Sequence, residues 1–276
     1  MTTTEQHYIQ LLKETLIDKD NAVRYQLTPL APGQGSFLKR MVINLLINTL
    51  SKKNLIITGI NKNGLKQREI GLGWPINGYT MIGLKRLNNI QFCIEEVIKN
   101  KVEGDFIETG VWRGGACIFA KALFEIYNEN RKVWVADSFK GLPKPNITLY
   151  PEDEGDDLYS LEQLRISKEQ VMNNFKRFDL LDDNVKFLEG WFKDTLPTAP
   201  IEKLAIVRLD GDMYESTMDG LNHLYHKLSS GGFIIIDDYG VIPACKKAVH
   251  DFRDEHGITE EIKNIDGSGY FWQKNF

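Results

Sequence analysis

Two short apolar runs near the C-terminus each end in carboxylates, and this pattern restricts the fold more than any other feature of the chain. Residues 205–207 lead into Asp210 and Asp212, and residues 233–236 lead directly into Asp237 and Asp238. Continuous apolar runs of this length predict strands that are buried on both faces of a parallel sheet. The acids then lie at the carboxyl edge of the sheet, where open α/β folds bind ligands. Because four clustered carboxylates repel each other unless a cation, a shared proton or a substrate compensates them, the pattern favours a divalent metal site.

The chain alternates between strand and helix patterns from residue 104 onward. Predicted strands cover residues 106–108, 132–136, 185–188, 204–209 and 233–236, and predicted helices cover residues 114–127, 161–178, 214–228 and 243–256. This alternation predicts a doubly wound α/β domain with a mostly parallel sheet. Residues 258–266 and 270–273 flank a Gly-Ser-Gly turn and predict an antiparallel hairpin at the sheet edge.

The first hundred residues differ from the rest in being mostly helical in pattern. Apolar residues recur at helical spacing in two stretches, namely Tyr8, Leu11, Leu12, Leu16 and then Leu38, Val42, Leu45, Leu46. We therefore divide the chain into an N-terminal helical lid, residues 1–100, and an α/β domain, residues 101–276. The Gly- and Pro-rich stretch 71–78 predicts a loop between helices, and we expect residues 71–83 to be mobile without ligands.

Composition excludes several classes of protein. A formal net charge of -4 over 276 residues argues against a nucleic-acid partner. The N-terminus lacks the pattern of a signal peptide and no apolar stretch is long enough to span a bilayer, so we expect a cytoplasmic protein without a membrane partner. Three distant cysteines, Cys93, Cys117 and Cys245, predict buried thiols and neither a disulfide framework nor a zinc site.

A glycine-rich turn follows the first predicted strand and opens the first helix of the α/β domain. Gly110 and Gly114 are separated by three residues, so the dinucleotide fingerprint G-x-G-x-x-G is not met. The acidic residue before the turn, Glu108, would repel a pyrophosphate and suits the ammonium of an amino-acid group. The alternative is an ordinary tight turn between strand and helix.

Two further strand ends carry residues suited to a nucleoside. Asp137 follows the second strand, where related sheets use a carboxylate to hold ribose hydroxyls. Trp191 follows the third strand, and its ring either stacks on an adenine or covers the core.

The segments 106–115, 137–143, 209–217 and 237–240 together closely resemble the macrocin O-methyltransferase family, whose members act on sugars of macrolides and aminocoumarins. The resemblance runs from about Thr80 to the C-terminus. It implies a class I methyltransferase fold, S-adenosylmethionine at the glycine-rich turn, and Mg²⁺ held by Asp210, Asp237 and Asp238. It also implies a small glycoside as acceptor, a homodimer, and a segment at Thr80 and Met81 that folds over the cofactor.

The cofactor-binding residues predicted on this basis come from the strand ends and from that folding segment. They are Thr80, Met81, Glu108, Thr109, Gly110, Val111, Arg113, Gly114, Asp137, Ser138, Phe139, Gly190, Trp191 and Asp210.

Methyl transfer requires the acceptor oxygen to be positioned and deprotonated. A bound Mg²⁺ would lower the pKa of an alcohol and fix its orientation, with Asp210 as a catalytic metal ligand. Asp212 is left over from the ligand count and is the candidate general base. The alternative role for Asp212 is an N-cap of the helix that starts near Tyr214.

Other readings of the chain stay open at this point. The acceptor could be a catechol or phenol, or the protein could be a non-catalytic scaffold that binds cofactor. The acidic run 152–157 predicts a solvated, flexible loop, and we expect residues 144–158 to order only with ligands. The run could alternatively attract a cationic amino sugar.

Overall fold

The computed structural model describes residues 2–19, 38, 41–42, 45–46, 49–50, 64–75 and 77–275. Within this part of the chain a seven-stranded sheet has the order β3–β2–β1–β4–β5–β7–β6. The strands are β1 (Asp105–Thr109), β2 (Val133–Asp137), β3 (Val185–Glu189), β4 (Leu204–Leu209), β5 (Leu228–Ile236), β6 (Lys263–Asn264) and β7 (Tyr270–Gln273).

Strands β1 to β5 run parallel, β7 is antiparallel to β5, and β6 is antiparallel to β7. The predicted doubly wound sheet with a C-terminal hairpin is confirmed. The strand order reverses between β1 and β4, and this switch point opens a crevice at the carboxyl edge. All six residues of β4 are buried, as the apolar run in the sequence requires.

Helices cover both faces of the sheet. They are α1 (Thr3–Leu16), α2 (Gly64–Glu69), α3 (Leu84–Lys99), α4 (Gly115–Ile126), α5 (Lys168–Arg177), α6 (Phe192–Thr195), α7 (Tyr214–Leu224) and α8 (Pro243–Glu255). None of the described helices is both long enough and apolar enough to span a membrane.

The core has two layers because successive side chains of each strand point to opposite faces. Phe106 of β1 packs in the layer with α1, α3 and α4, and the next residue, Ile107, packs in the layer with α7 and α8. The N-terminal helices α1 and α3 therefore share a core layer with the sheet.

Four predicted element bounds were wrong. The helix expected over residues 161–178 begins only at Lys168, because Ser167 caps it by accepting from the Gln170 amide. The helix expected over residues 214–228 ends at Leu224, and the strand expected over residues 233–236 already begins at Leu228. The strand expected over residues 258–266 is only Lys263–Asn264. Leu38, Val42, Leu45 and Leu46 are helical as predicted, and most of residues 20–63 lie outside the described part.

Candidate active site

Three of the predicted edge carboxylates meet in space. Asp210 follows β4, and Asp237 and Asp238 follow the neighbouring strand β5, whose Ile236 pairs with Leu209. One oxygen of each carboxylate lies within 4.8 Å of the other two. Among the described residues, this is the group of acidic, histidine or cysteine side chains that could hold a metal ion. The expectation that acids at these two strand ends lie close together is confirmed for Asp210, Asp237 and Asp238.

A buried arginine on β4 organises these acids. Arg208 is 1% exposed and donates hydrogen bonds to Glu108, Asp237 and Asp210, the last at 2.8 Å. Sequence analysis missed this residue because it concentrated on the apolar part of the strand. The signal was present, since an arginine inside an otherwise apolar strand must find buried anionic partners.

A second guanidinium reaches the same acids from the N-terminal region. Arg86 of α3 pairs with Asp237 and, at 2.9 Å, with Asp266 in the turn of the C-terminal hairpin. Both oxygens of Asp237 thus accept from a guanidinium, one from Arg86 and one from Arg208. This residue was also missed, and no local pattern in the sequence marks it, because its partners lie more than 150 positions away.

The edge carries an excess of negative charge. Five carboxylates meet here, those of Glu108, Asp210, Asp212, Asp237 and Asp238, and within the described part of the chain their ion pairs come from two guanidinium groups, those of Arg86 and Arg208. Burial and the neighbouring carboxylates raise the pKa of Asp210 to about 6 and that of Asp212 to about 8, and they raise the pKa of Asp238 strongly. A divalent cation would relieve this repulsion, and carboxylate oxygens are the ligands that Mg²⁺ prefers. The donor set therefore fits Mg²⁺.

Asp212 is held in an unusual backbone conformation beside this cluster. Its φ is +60°, and its N–H donates to an oxygen of Asp238 at 3.3 Å. Its side chain does not cap α7, because the amides of Tyr214 and Glu215 donate instead to the carboxylate of Asp153, at 2.6 and 3.1 Å. The alternative role of Asp212 as an N-cap is wrong, and its carboxylate is left for the site.

The glycine-rich turn lies directly against the metal-binding turn. A Cβ atom at Gly110, whose φ is +82°, would come within 1.7 Å of the backbone oxygen of Asp210. At Gly114, φ +84°, it would come within 2.8 Å of the Val171 side chain. Glycine is thus required at position 110 by the turn after β4 and at position 114 by the packing of helix α5. Gly110 also lines the adjacent cleft, so the packing role and the predicted ligand approach coexist at this position.

Asp137 joins the turns that follow β1 and β2. Its two carboxylate oxygens accept from the amides of Val111, at 2.8 Å, and Phe139, at 2.7 Å. The Ser138 hydroxyl also donates, at 3.5 Å, to the oxygen that accepts from Phe139. Asp137 and the neighbouring Ser138 both line the cleft, where such acceptors can meet ligand hydroxyls.

A cleft of about 850 Å³, counting space open to solvent, runs along the carboxyl edge. Eight of its lining residues were singled out from the sequence, namely Met81, Gly110, Asp137, Ser138, Gly190, Trp191, Asp210 and Asp212. Others were missed, among them Trp112, Leu142, Leu164, Phe192, Glu215 and Asp219. Most of these come from loops and helix starts, where no periodic pattern points to a site.

The remaining predicted cofactor residues do not line the cleft. Thr80, Glu108, Thr109, Val111, Arg113, Gly114 and Phe139 are not among its lining residues. Glu108 pairs with Arg208 and accepts from the thiol of Cys117 at 2.9 Å. Burial raises the pKa of Glu108 to about 7 against the opposing effect of Arg208. The Arg113 guanidinium donates to the carbonyl of Gly78 at 2.8 Å.

Residues 71–83, which we call the lid segment, carry the predicted cofactor contact Met81. Arg68 of α2 is 4% exposed and holds this segment by donating to backbone carbonyl groups. Its acceptors are the carbonyls of Ile17 at 3.1 Å, Gly73 at 2.6 Å, Met81 at 3.1 Å, Thr80 at 3.1 Å and Ile82 at 3.5 Å. One buried cation therefore holds the backbone of this segment, in addition to the core contacts of Ile82.

Residues 144–158, which we call the acidic loop, lie on the other side of the site. Asp153 is 2% exposed, so the prediction of a solvated run is wrong for this residue. The Tyr150 ring lies 6.0 Å from the ring of Tyr214, and Glu152 pairs with Lys247 of α8 at 3.7 Å. Asp156 lies near enough to Asp212 to help raise the pKa of that residue.

Comparison with known proteins identifies the chain. A profile described as macrocin O-methyltransferase (TylF) matches residues 5–274. The chain belongs to the macrocin O-methyltransferase family. It is 53% identical over 212 residues to mycinamicin III 3''-O-methyltransferase from Micromonospora griseorubida, covering 75% of this chain and 83% of that protein. It is 51% identical over 209 residues to demethyldecarbamoylnovobiocin O-methyltransferase from Streptomyces niveus, covering 75% and 80%.

Solved structures agree with this assignment. The O-methyltransferase NovP matches with a TM-score of 0.83 and 40% identity over 99% of this chain and all of that one. The calicheamicin methyltransferase CalS11 matches with a TM-score of 0.56 and 16% identity over 99% of this chain and 93% of that one, which supports the fold alone. This macrocin O-methyltransferase family member is thus an O-methyltransferase with a methyltransferase-type α/β fold.

Proposed function

We propose that the enzyme transfers a methyl group from S-adenosylmethionine to a sugar hydroxyl of a glycosylated natural product, with Mg²⁺ bound by Asp210, Asp237 and Asp238. The observation that carries this proposal is the meeting of these three carboxylates at a cleft that also holds Asp137 and Trp191. The names of the relatives support the acceptor class, since they describe methylation of mycinamicin III, of demethyldecarbamoylnovobiocin and of a rhamnosyl tetracenomycin.

The nucleoside end of the cleft is built from the turns after β2 and β3. Asp137 lines the cleft where its carboxylate can accept from the ribose hydroxyls, and Trp191 offers a ring face to the adenine. Met81 closes the cleft from the lid segment. When bound, S-adenosylmethionine supplies a methyl group on a sulfonium that reacts by in-line displacement.

The acceptor end of the cleft is the acidic edge. When bound, Mg²⁺ would lower the pKa of the acceptor hydroxyl and help to fix its orientation. Asp212 accepts the hydroxyl proton at its carboxylate. Burial and the charges of Asp210 and Asp237 raise its pKa to about 8, which suits a group that takes up a proton near neutral pH. Arg208 and Arg86 hold the acids in place so that the site is formed before ligands bind.

The test is methyl transfer to defined glycosides. The enzyme is incubated with S-adenosylmethionine, Mg²⁺ and, in separate reactions, mycinamicin III or demethyldecarbamoylnovobiocin, and products are analysed by mass spectrometry. A single added methyl group on the sugar supports the proposal. Methylation of simple catechols with no transfer to any glycoside would contradict it. Asp212→Asn serves as the matched inactive control.

We also propose that the enzyme is a cytoplasmic homodimer. Its three cysteines are free and buried, which suits a reducing compartment. Leu38, Met41, Leu45 and Leu46 are helical and between 46% and 70% exposed, which gives apolar surface for a second copy. Analytical ultracentrifugation should show a dimer that Leu45→Glu weakens, and a monomeric wild-type protein would contradict this.

A further inference from the structure

The helix that follows Asp212 is capped by a residue from a distant loop. Helix α7 begins at Tyr214, and its own N-cap residue, Met213, has no side-chain acceptor to offer. Asp153, 61 positions upstream of Tyr214, reaches in and accepts from the amides of Tyr214 and Glu215. Asp153 is 2% exposed, and a carboxylate buried to this degree must be paired.

Because Asp153 caps α7, the side chain of Asp212 is not used as the cap. The nearest acidic side chain that precedes the helix is Asp212, which would be the ordinary candidate to satisfy these amides. Asp212 instead has φ +60° and faces Asp210, Asp237 and Asp156. Such a strained, like-charged arrangement persists only where its surroundings over-determine it. Asp153 supplies two of the contacts that fix the turn between Asp212 and α7.

We infer that Asp153 is a positioning residue: by capping α7 from the acidic loop, it keeps the Asp212 carboxylate out of the cap and in the active site. The inference rests on the proposed function, in which Asp212 is the general base. The inference also links the position of the acidic loop to catalysis. The two hydrogen bonds that Asp153 accepts from the start of α7 also hold the acidic loop beside the active site.

The first test is a kinetic double-mutant cycle with mycinamicin III, or whichever glycoside is methylated in the assay above. Asp212→Asn should lower kcat about 100-fold or more, as loss of a general base does, and Asp153→Ala should lower it at least ~10-fold. In the Asp153→Ala background, Asp212→Asn should have little further effect, because residues that act as a unit are not additive. The KM for S-adenosylmethionine should stay within about twofold, since the nucleoside end of the cleft is untouched.

The conservative variant and a neighbour provide the controls. Asparagine caps helices about as well as aspartate, so Asp153→Asn should stay within about fivefold of the wild-type kcat. Glu154→Gln changes the charge of the next, exposed residue and should leave kcat unchanged. If Asp153→Ala and Asp212→Asn lower kcat independently, Asp153 has only a structural role and the inference is overturned.

A second measurement separates this inference from the proposed function. Hydrogen exchange of the Tyr214 and Glu215 amides needs no acceptor and should be at least ~10-fold faster in Asp153→Ala than in the wild type. Unchanged exchange would overturn the cap itself. If exchange rises as expected but Asp212→Asn leaves kcat intact, the cap stands, whereas the base role of Asp212 and the inference built on it both fall.

Discussion

The lid segment and the acidic loop border the same site, and each is held by a buried side chain of opposite charge. Arg68, a buried cation, donates to backbone carbonyls that come largely from the lid segment. Asp153, a buried anion, accepts from only two amides at the start of α7. The comparison teaches that one buried charge can hold the backbone of a loop in addition to the loop's other contacts, and we expect the charge that makes more hydrogen bonds to hold its loop more firmly.

The largest expected effect comes from removing the cation. Arg68→Ala should lower the free energy of unfolding by about 3–4 kcal/mol, because several buried carbonyls lose their partner at once. Arg165→Ala, which removes an exposed arginine paired with Glu162, is the matched control and should change stability by less than about 0.5 kcal/mol. Urea unfolding followed by fluorescence measures both. Equal stability of the two variants would show that Arg68 does not fasten the lid segment.

Hydrogen exchange compares the two fastenings directly. Amides of the acidic loop should exchange about 10- to 100-fold faster than those of residues 77–83 in the free protein, since fewer bonds must break to open the loop. We predict that S-adenosylmethionine and acceptor together slow exchange in both segments, because methyl transfer proceeds best where water is excluded. Equal rates in both segments, with and without ligands, would show that both are rigid walls.

Asp212 provides a smaller test, because its carboxylate and that of Asp156 in the acidic loop repel each other. Asp212→Asn should stabilise the ligand-free protein by about 1 kcal/mol at pH 8, since it removes repulsion and places asparagine at a positive φ that it tolerates well. Thermal unfolding of the two proteins in chelator measures this difference. A less stable Asp212→Asn protein would indicate that Asp212 contributes a favourable contact in the free enzyme.

The difference in stability between the wild type and Asp212→Asn should depend on pH. The pKa of Asp212 is raised to about 8 by burial and by Asp210 and Asp237, so the folded state binds this proton more tightly than the unfolded chain does. The contribution of Asp212 to stability is therefore present at low pH and lost as the pH rises from about 4 to 8. The stability advantage of Asp212→Asn should grow over this range. A constant difference between pH 5 and pH 8 would contradict it.

Much of the sheet and of its acidic edge could be predicted from sequence, because both depend on local pattern. The run ending at Asp237 and Asp238 must form a buried strand, and its neighbour ending at Asp210 lies beside it in any doubly wound sheet. The buried charged residues that hold the loops and the acidic edge in place could not be predicted in this way. Arg86, Arg68 and Asp153 act on partners that are brought near only by the complete fold.

The role of Asp212 shows the same limit at a single residue. A Gly-Asp pair before a helix fits both a cap and a base, and local sequence cannot separate the two. The structure separates the two roles, because the carboxylate of Asp153, from a distant loop, caps the helix in place of Asp212. Similarly, the glycine and proline content of the lid segment predicted mobility, whereas the structure shows that a buried guanidinium donates to its backbone carbonyls.

The central claim is that Asp210, Asp237 and Asp238 form a Mg²⁺ site, and calorimetric titration of Mg²⁺ into the protein saturated with S-adenosylmethionine tests it most directly. The account predicts one Mg²⁺ per chain, with affinity weakened at least ~10-fold in Asp238→Asn, since one of few hard oxygen charges is lost. Glu154→Gln should bind as the wild type does. No binding by the wild type, or equal affinity in Asp238→Asn, would contradict the account.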